Sequence, residues 1–436
     1  MRAIPLMRLA AVAAGLLLLP RNTAAQSLLA PPLAERLSVL ASPPAERLSQ
    51  PDTSALQQQI DQLKKEFGER IAALEAKLAA AQSATPQPPP VPAPPVGPDP
   101  AVSPTPLGNA KVFNPDMSVI GNFVGVAGEN DHSDQPPFGL SEVEMALQAI
   151  VDPYARADFF LAASPEGLEV EEGFITFNTL PAGLLLKAGK LRAEFGKVNR
   201  MHTHRLPWAD RPLVTQNLVG GEEGISLPGV SLSRLIQNPA IFLEATGEAY
   251  YGSSDVFESR RKSKLTYVGR LRGYRDITEG TNIDVGGSYA LGPAAEAPDI
   301  FTLEDTNTEL FGFDATFRYR PLRRAIYKQF QARTELVWSR PRSHGSIGER
   351  AFGYFGSGEY QFARRWFAGA RYDRSAQALD PSLVDNGGSF YLTFWPSEFN
   401  QIRGQYRRTN YGDGVTANEF LFQLNFSIGA HGAHVF

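Results

Sequence analysis

The chain contains no cysteine, so neither disulfides nor thiolate metal sites contribute to its fold or its chemistry. It has no run of eighteen apolar residues, which excludes a protein that crosses a membrane on helices. Neither sign of charge dominates: 42 Lys and Arg stand against 46 Asp and Glu, a balance that gives no support for nucleic-acid binding. Catalytic signatures are also missing. No G-x-S-x-G, H-E-x-x-H, Walker loop or dinucleotide fingerprint occurs, so the chain is read as a non-enzyme without a cofactor. The mean hydropathy is slightly negative. A soluble protein has that value, and so does a membrane barrel, in which only every second strand residue is apolar.

What is present begins with Arg2 and Arg8, an apolar run from Leu9 to Leu19 and the small residues Thr23-Ala24-Ala25. That order predicts a signal peptide over residues 1–25 and therefore export from the cytoplasm. Residues 26–54, rich in Ala, Pro, Ser and Leu, predict a disordered segment. Over 55–82, Leu56, Ile60, Leu63, Phe67, Ile71, Leu74 and Leu78 follow one helical stripe with a stutter, which predicts a periplasmic coiled coil. Residues 83–113 form a Pro-rich linker; half of Thr85 to Pro106 is proline. In polyproline II geometry those 22 residues reach roughly 70 Å.

From residue 114 to 436 the pattern is one of strands. Phe311, Phe313, Ala315, Phe317 and Tyr319 alternate with Asp314, Thr316 and Arg318, and Phe420, Phe422, Leu424, Phe426 and Ile428 alternate with Glu419, Gln423, Asn425 and Ser427. Sixteen such segments are expected, near 117–126, 139–151, 155–163, 167–179, 183–192, 224–233, 240–250, 265–274, 281–290, 307–320, 325–338, 350–362, 364–374, 388–397, 399–408 and 416–428. Short connections such as Asp152-Pro153-Tyr154 take turns with long ones such as 193–223 and 251–264. A soluble sandwich has no reason to alternate its turns in this way. An outer-membrane barrel has short periplasmic turns and long outer loops. The expected fold is all-β: an antiparallel transmembrane barrel of about 16 strands, its last strand closing on the first near Val119 to Gly125.

With the apolar faces toward lipid, the lumen receives Glu142 and Glu144 from the first half of the barrel. The second half contributes Arg318, Arg320, Arg333, Arg371, Arg403 and Arg407. Two readings stay open: a basic wall that favours anions, or charges that pair off and keep the lumen wet. The longest connection, 193–223, carries Arg200, His202, His204, Arg205, Trp208, Asp210 and Arg211, and its length suits a loop that folds into the barrel mouth. His202 and His204 form a single H-x-H without an evident third ligand, a pattern expected of solvated histidines, so no metal site is assigned.

The barrel segment, about 320 residues, resembles the Gram-negative outer-membrane porins. That resemblance implies a third outer loop folded inward as a constriction, a trimeric assembly in outer-membrane lipid, and a terminal aromatic that marks the chain for barrel insertion. Phe436 matches that aromatic, and 193–223 matches the loop by order and length. The run Lys187-Ala-Gly-Lys-Leu-Arg-Ala-Glu-Phe-Gly-Lys197 is similar to the strand entering that loop in the phosphate-selective porin group, some of whose members carry an N-terminal coiled coil. A phosphate-binding lysine cluster is not among the matching features. The expectation is thus an outer-membrane channel for small hydrophilic solutes or anions, with its N-terminal segment in the periplasm facing a coiled-coil or cell-wall partner. Two alternatives remain beside it: an envelope tether that uses the barrel as an anchor, and a selective channel for metals or oxyanions.

Overall fold

A computed structural model describes residues 115–429, apart from 134, 166, 298–302 and 344–345, together with 62 and 65. The predicted signal peptide, disordered segment and Pro-rich linker, the coiled coil apart from Gln62 and Lys65, and Phe436 at the end lie outside the described residues.

Sixteen strands span the body: β1 (Asp116–Glu129), β2 (Phe138–Asp152), β3 (Ala155–Ser164), β4 (Gly167–Phe177), β5 (Leu184–Arg192), β6 (Ser226–Ile236), β7 (Phe242–Tyr250) and β8 (Thr266–Thr278). They continue as β9 (Thr281–Pro293), β10 (Thr306–Tyr319), β11 (Gln329–Ser343), β12 (Ala351–Ala363), β13 (Trp366–Ala376), β14 (Val384–Ser397), β15 (Asn400–Asn410) and β16 (Thr416–Gly429). A two-residue return, Ser346–Ile347, pairs with the end of β11. Each spanning strand pairs antiparallel with its sequence neighbours, and β16 pairs with β1 from Ser118 opposite Gly429 to Glu129 opposite Asn418. The sheet is a closed antiparallel barrel of 16 strands with no free edge.

The alternation read from the sequence sorts the side chains. Phe313, Phe390, Leu392, Phe420 and Ile428 lie exposed on the outside. Asp314, Thr316, Glu335, Arg371, Arg403, Gln405, Glu419 and Gln423 on the opposite parity are buried. An exposed apolar band around a closed sheet with a polar interior is the pattern a lipid-facing barrel requires.

Several boundaries differ from expectation by three to five residues, two of them at strand starts with a visible cause in the sequence. β11 begins at Gln329 rather than near 325, because Pro321 supplies no N–H and the chain turns helically, with Lys328 N–H donating to Arg324 O at 2.9 Å. β14 begins at Val384, four residues early; its Gly387-Gly388 weakens the local strand signal, yet both pair in the ladder.

Candidate functional site

The connection between β5 and β6, residues 193–225 and here named L3, is packed inside the barrel. Its apolar residues Phe195, Val198, Leu206, Trp208, Val214, Leu218 and Ile225 are each at most 2 % exposed. They form a core with inward residues of the strands, among them Tyr250, Val268, Leu310, Val337 and Phe355. Trp208 meets Phe355 edge-on, with ring centroids 5.1 Å apart, and the Arg371 guanidinium lies 4.9 Å from its ring. The loop therefore shares a hydrophobic core with the barrel wall, which a solvated surface loop lacks.

Asn199, 1 % exposed, closes the base of L3. Its Nδ2 donates to Ala193 O at 2.9 Å and Ile225 O at 3.2 Å, and its Oδ1 accepts from Ile225 N–H at 2.8 Å. Gly196 has φ +61°, and a Cβ there would sit 1.8 Å from Glu335 Oε1, so only glycine lets the backbone approach that wall. Glu335 Oε2 accepts from the N–H groups of Lys197 and Val198, while Lys197 Nζ reaches Asp284 at 2.9 Å and Thr316 Oγ1 at 3.0 Å.

On the wall of β13 and β15, Asp210 is the hub. Its carboxylate accepts from Arg371 Nη2 at 2.8 Å, from Arg407 Nη1 at 2.9 Å and from the Gln405 amide, and its backbone carbonyl accepts from Arg371 Nη1 at 3.0 Å. Arg371 also donates to Asp373 at 2.6 Å, and Arg407 pairs with Glu419. Arg403 donates to Leu206 O at 3.1 Å and to Gln423 at 2.6 Å. Burial pushes the Asp210 carboxyl up, but the charges of Arg371 and Arg407 outweigh it and hold the group at about 2.

On the wall of β2 and β4, His202 faces three carboxylates: Nδ1 lies 2.9 Å from Glu144 and 2.5 Å from Glu171, and Nε2 lies 3.0 Å from Glu172. Burial alone would depress this imidazole; the carboxylates of Glu144, Glu171 and Glu172 hold it well above its ordinary value. Glu171 and Glu172 are consecutive in β4 and both point inward. The pairing of β3 with β4 explains this, because Phe160 opposes Glu172 while Leu161 opposes Val170, leaving Glu171 as the extra residue of a β-bulge. Arg192 donates to Glu171 at 2.7 Å and to Glu223 O at 2.9 Å, tying the end of β5 to the same group.

The expected site residues thus separate. Asp210, Arg371 and Arg407 meet at one anchor with Arg403 beside it, and His202 and His204 meet Glu144 at another. Arg211 is buried and donates to Met201 O at 2.9 Å within the loop. Arg200 pairs with Glu194 at 3.0 Å, and Arg205 is exposed. Arg318 keeps 37 % of its side chain exposed and lies 3.9 Å from Asp284; Arg333 is half-buried. One expectation is corrected. The histidines are buried against carboxylates rather than solvated, because strands far away in sequence supply the partners. Of the two readings of the interior arginines, Arg371, Arg403 and Arg407 follow the paired one, since L3 carbonyls and Asp210 take up their donors. Glu171, Glu172 and Asn199 were missed. The one signal for the first two was a break in alternation, since Glu169-Val-Glu-Glu172 puts acids on both faces.

This fold is that of the outer-membrane porin barrels. OprB of Pseudomonas putida superposes with a TM-score of 0.52 at 10% identity, covering 73% of this chain and 94% of OprB. An anion-selective porin from Comamonas acidovorans gives 0.50 at 9% identity, covering 72% and 99%. A loop-deletion form of OmpT, an outer membrane protein of Vibrio cholerae, gives 0.50 at 9% identity, covering 73% and 100%. No protein-family model matches the chain. In sequence it is 30% identical over 390 residues to an uncharacterized protein of Aquifex aeolicus, covering 75% of this chain and 81% of that protein. The chain belongs to the family of that Aquifex protein.

Proposed function

We propose that the protein is a passive outer-membrane channel whose bore is narrowed by L3. The observation that carries this reading is the loop's attachment around the inner wall, from Glu144 on β2 through Glu335 on β11 and Arg371 on β13 to Asn425 on β16. Sixteen strands enclose a lumen wide enough for water. A loop pinned on so many sides reduces that lumen to a fixed passage and does not flap as a lid. Arg272, Arg318 and Arg333 remain on the interior face with Asp284 among them, so the passage favours small hydrophilic solutes and anions. Trimeric assembly, a signal peptide and a periplasmic coiled coil on a proline spacer complete the proposal, on the resemblance to porins and on the N-terminal sequence. Purified protein in planar lipid bilayers tests it: discrete, voltage-independent conductance steps with an anion-favouring reversal potential are expected. Bilayers that stay silent with folded protein inserted would remove the channel reading.

A further inference from the structure

The two histidines of L3 differ in what they face. His202 contacts its carboxylates at 2.5, 2.9 and 3.0 Å, which are hydrogen-bond distances. His204, 4 % exposed and carried by the 3-10 turn Thr203–Arg205, places Nδ1 at 3.3 Å from Glu144 Oε2. Ligands of one tetrahedral ion, at bonds of about 2.0–2.1 Å, stand roughly 3.3 Å apart. Glu142 lies two residues before Glu144 on the same face of β2, and one ligand atom from each of Glu142, Glu144 and His204 falls within 4.8 Å of the others.

A second observation is independent of that spacing. Glu144 is 3 % exposed; its Oε2 has the imidazoles of His202 and His204 beside it at 2.9 and 3.3 Å without a well-aligned hydrogen bond, and the buried Oε1 of Glu142 accepts none. The Nδ1 of His202 nearby has one proton to donate and stands closer to Glu171. Four carboxylates, Glu142, Glu144, Glu171 and Glu172, gather here against two cationic side chains in direct contact, His202 and Arg192, leaving a formal charge of −2 (−4 + 2). Carboxylates in excess of their cationic partners are costly in a desolvated place, and a divalent cation balances that charge.

We infer that Glu142, Glu144 and His204 form a binding site for a divalent transition-metal ion of the zinc class. Two carboxylates with an imidazole suit zinc, cobalt or manganese better than calcium or magnesium, which take oxygen ligands throughout. Three protein ligands leave one position for water or solute. The ion would bridge L3 to β2, adding a tie at His204 to the one its backbone carbonyl makes with Asn425 of β16.

Chelator-treated full-length protein in detergent, titrated with cobalt(II) alone, reads the site by its visible absorption. One equivalent should saturate it and zinc(II) should displace it. Glu142→Gln and His204→Gln should each weaken binding roughly tenfold or more, whereas His132→Ala, a substitution in the 130–137 connection, should leave it unchanged. Glu142 is half-buried, so its variant keeps the barrel, and heat-modifiable gel migration checks that each protein is folded. No saturable binding by folded wild-type protein, or undiminished binding in both variants, would overturn the inference. Channel conductance is read separately, so a conducting protein that binds no cobalt rejects the metal site and leaves the channel.

Discussion

Asp210 of L3 and Arg371 of β13 are joined twice, side chain to side chain at 2.8 Å and guanidinium to backbone carbonyl at 3.0 Å, with Arg371 only 3 % exposed. Removing the carboxylate charge leaves Arg371 and Arg407 in the interior facing an amide. Asp210→Asn should cost on the order of 3 kcal/mol, measured by denaturant unfolding in detergent. The loosened loop should also widen the conductance steps and add noise to the open level.

Acid should act at the same place. The folded value of Asp210, about 2, lies below the ordinary 3.8, so its stabilisation is complete above the unfolded value and is lost as pH falls from 3.8 toward 2. The loop anchor should therefore be indifferent to pH near neutrality and release only in that acidic window. Conductance recorded across a pH series checks this; release of the loop near neutral pH would contradict it.

The staple at the base of L3 gives a third expectation. Asn199→Ala removes three hydrogen bonds; Ala193 O keeps the Phe195 N–H and Ile225 O keeps the Ala193 N–H, so it is the Ile225 N–H that loses its acceptor. A buried group left unsatisfied costs about 1–3 kcal/mol. The barrel ladder is untouched, so the loss should appear as local opening: faster amide exchange and new protease cleavage within 193–225, with strand protection unchanged.

Arg318 and Arg333 are, with Arg272, interior arginines outside the L3 anchors. The double substitution Arg318→Gln with Arg333→Gln should reduce the preference for anions by roughly a few-fold at low salt, and less at high salt where screening is short-ranged. Reversal potentials under a salt gradient report this directly.

All sixteen strands were legible because a barrel repeats one instruction, apolar out and polar in, at a period that does not depend on distant residues. L3 was legible as a long loop with a tryptophan, and Asp210, Arg371 and Arg407 were each named, but their meeting was not. A parity rule assigns Arg371 a face; it says nothing of which loop residue descends to meet it 161 positions away. The His202 cluster was hidden for a different reason. A single bulge residue on β4 turns Glu171 inward beside Glu172, and a strict period-two reading assigns one of them to lipid.

The account rests on L3 as the element that narrows the lumen. Replacing residues 197–221 with a short Gly-Ser linker removes the Trp208 core and the Asp210 and His204 anchors while retaining every strand. Single-channel conductance of that protein, beside the full-length chain in the same bilayers, should rise several-fold. An unchanged conductance from a correctly folded barrel would contradict the account.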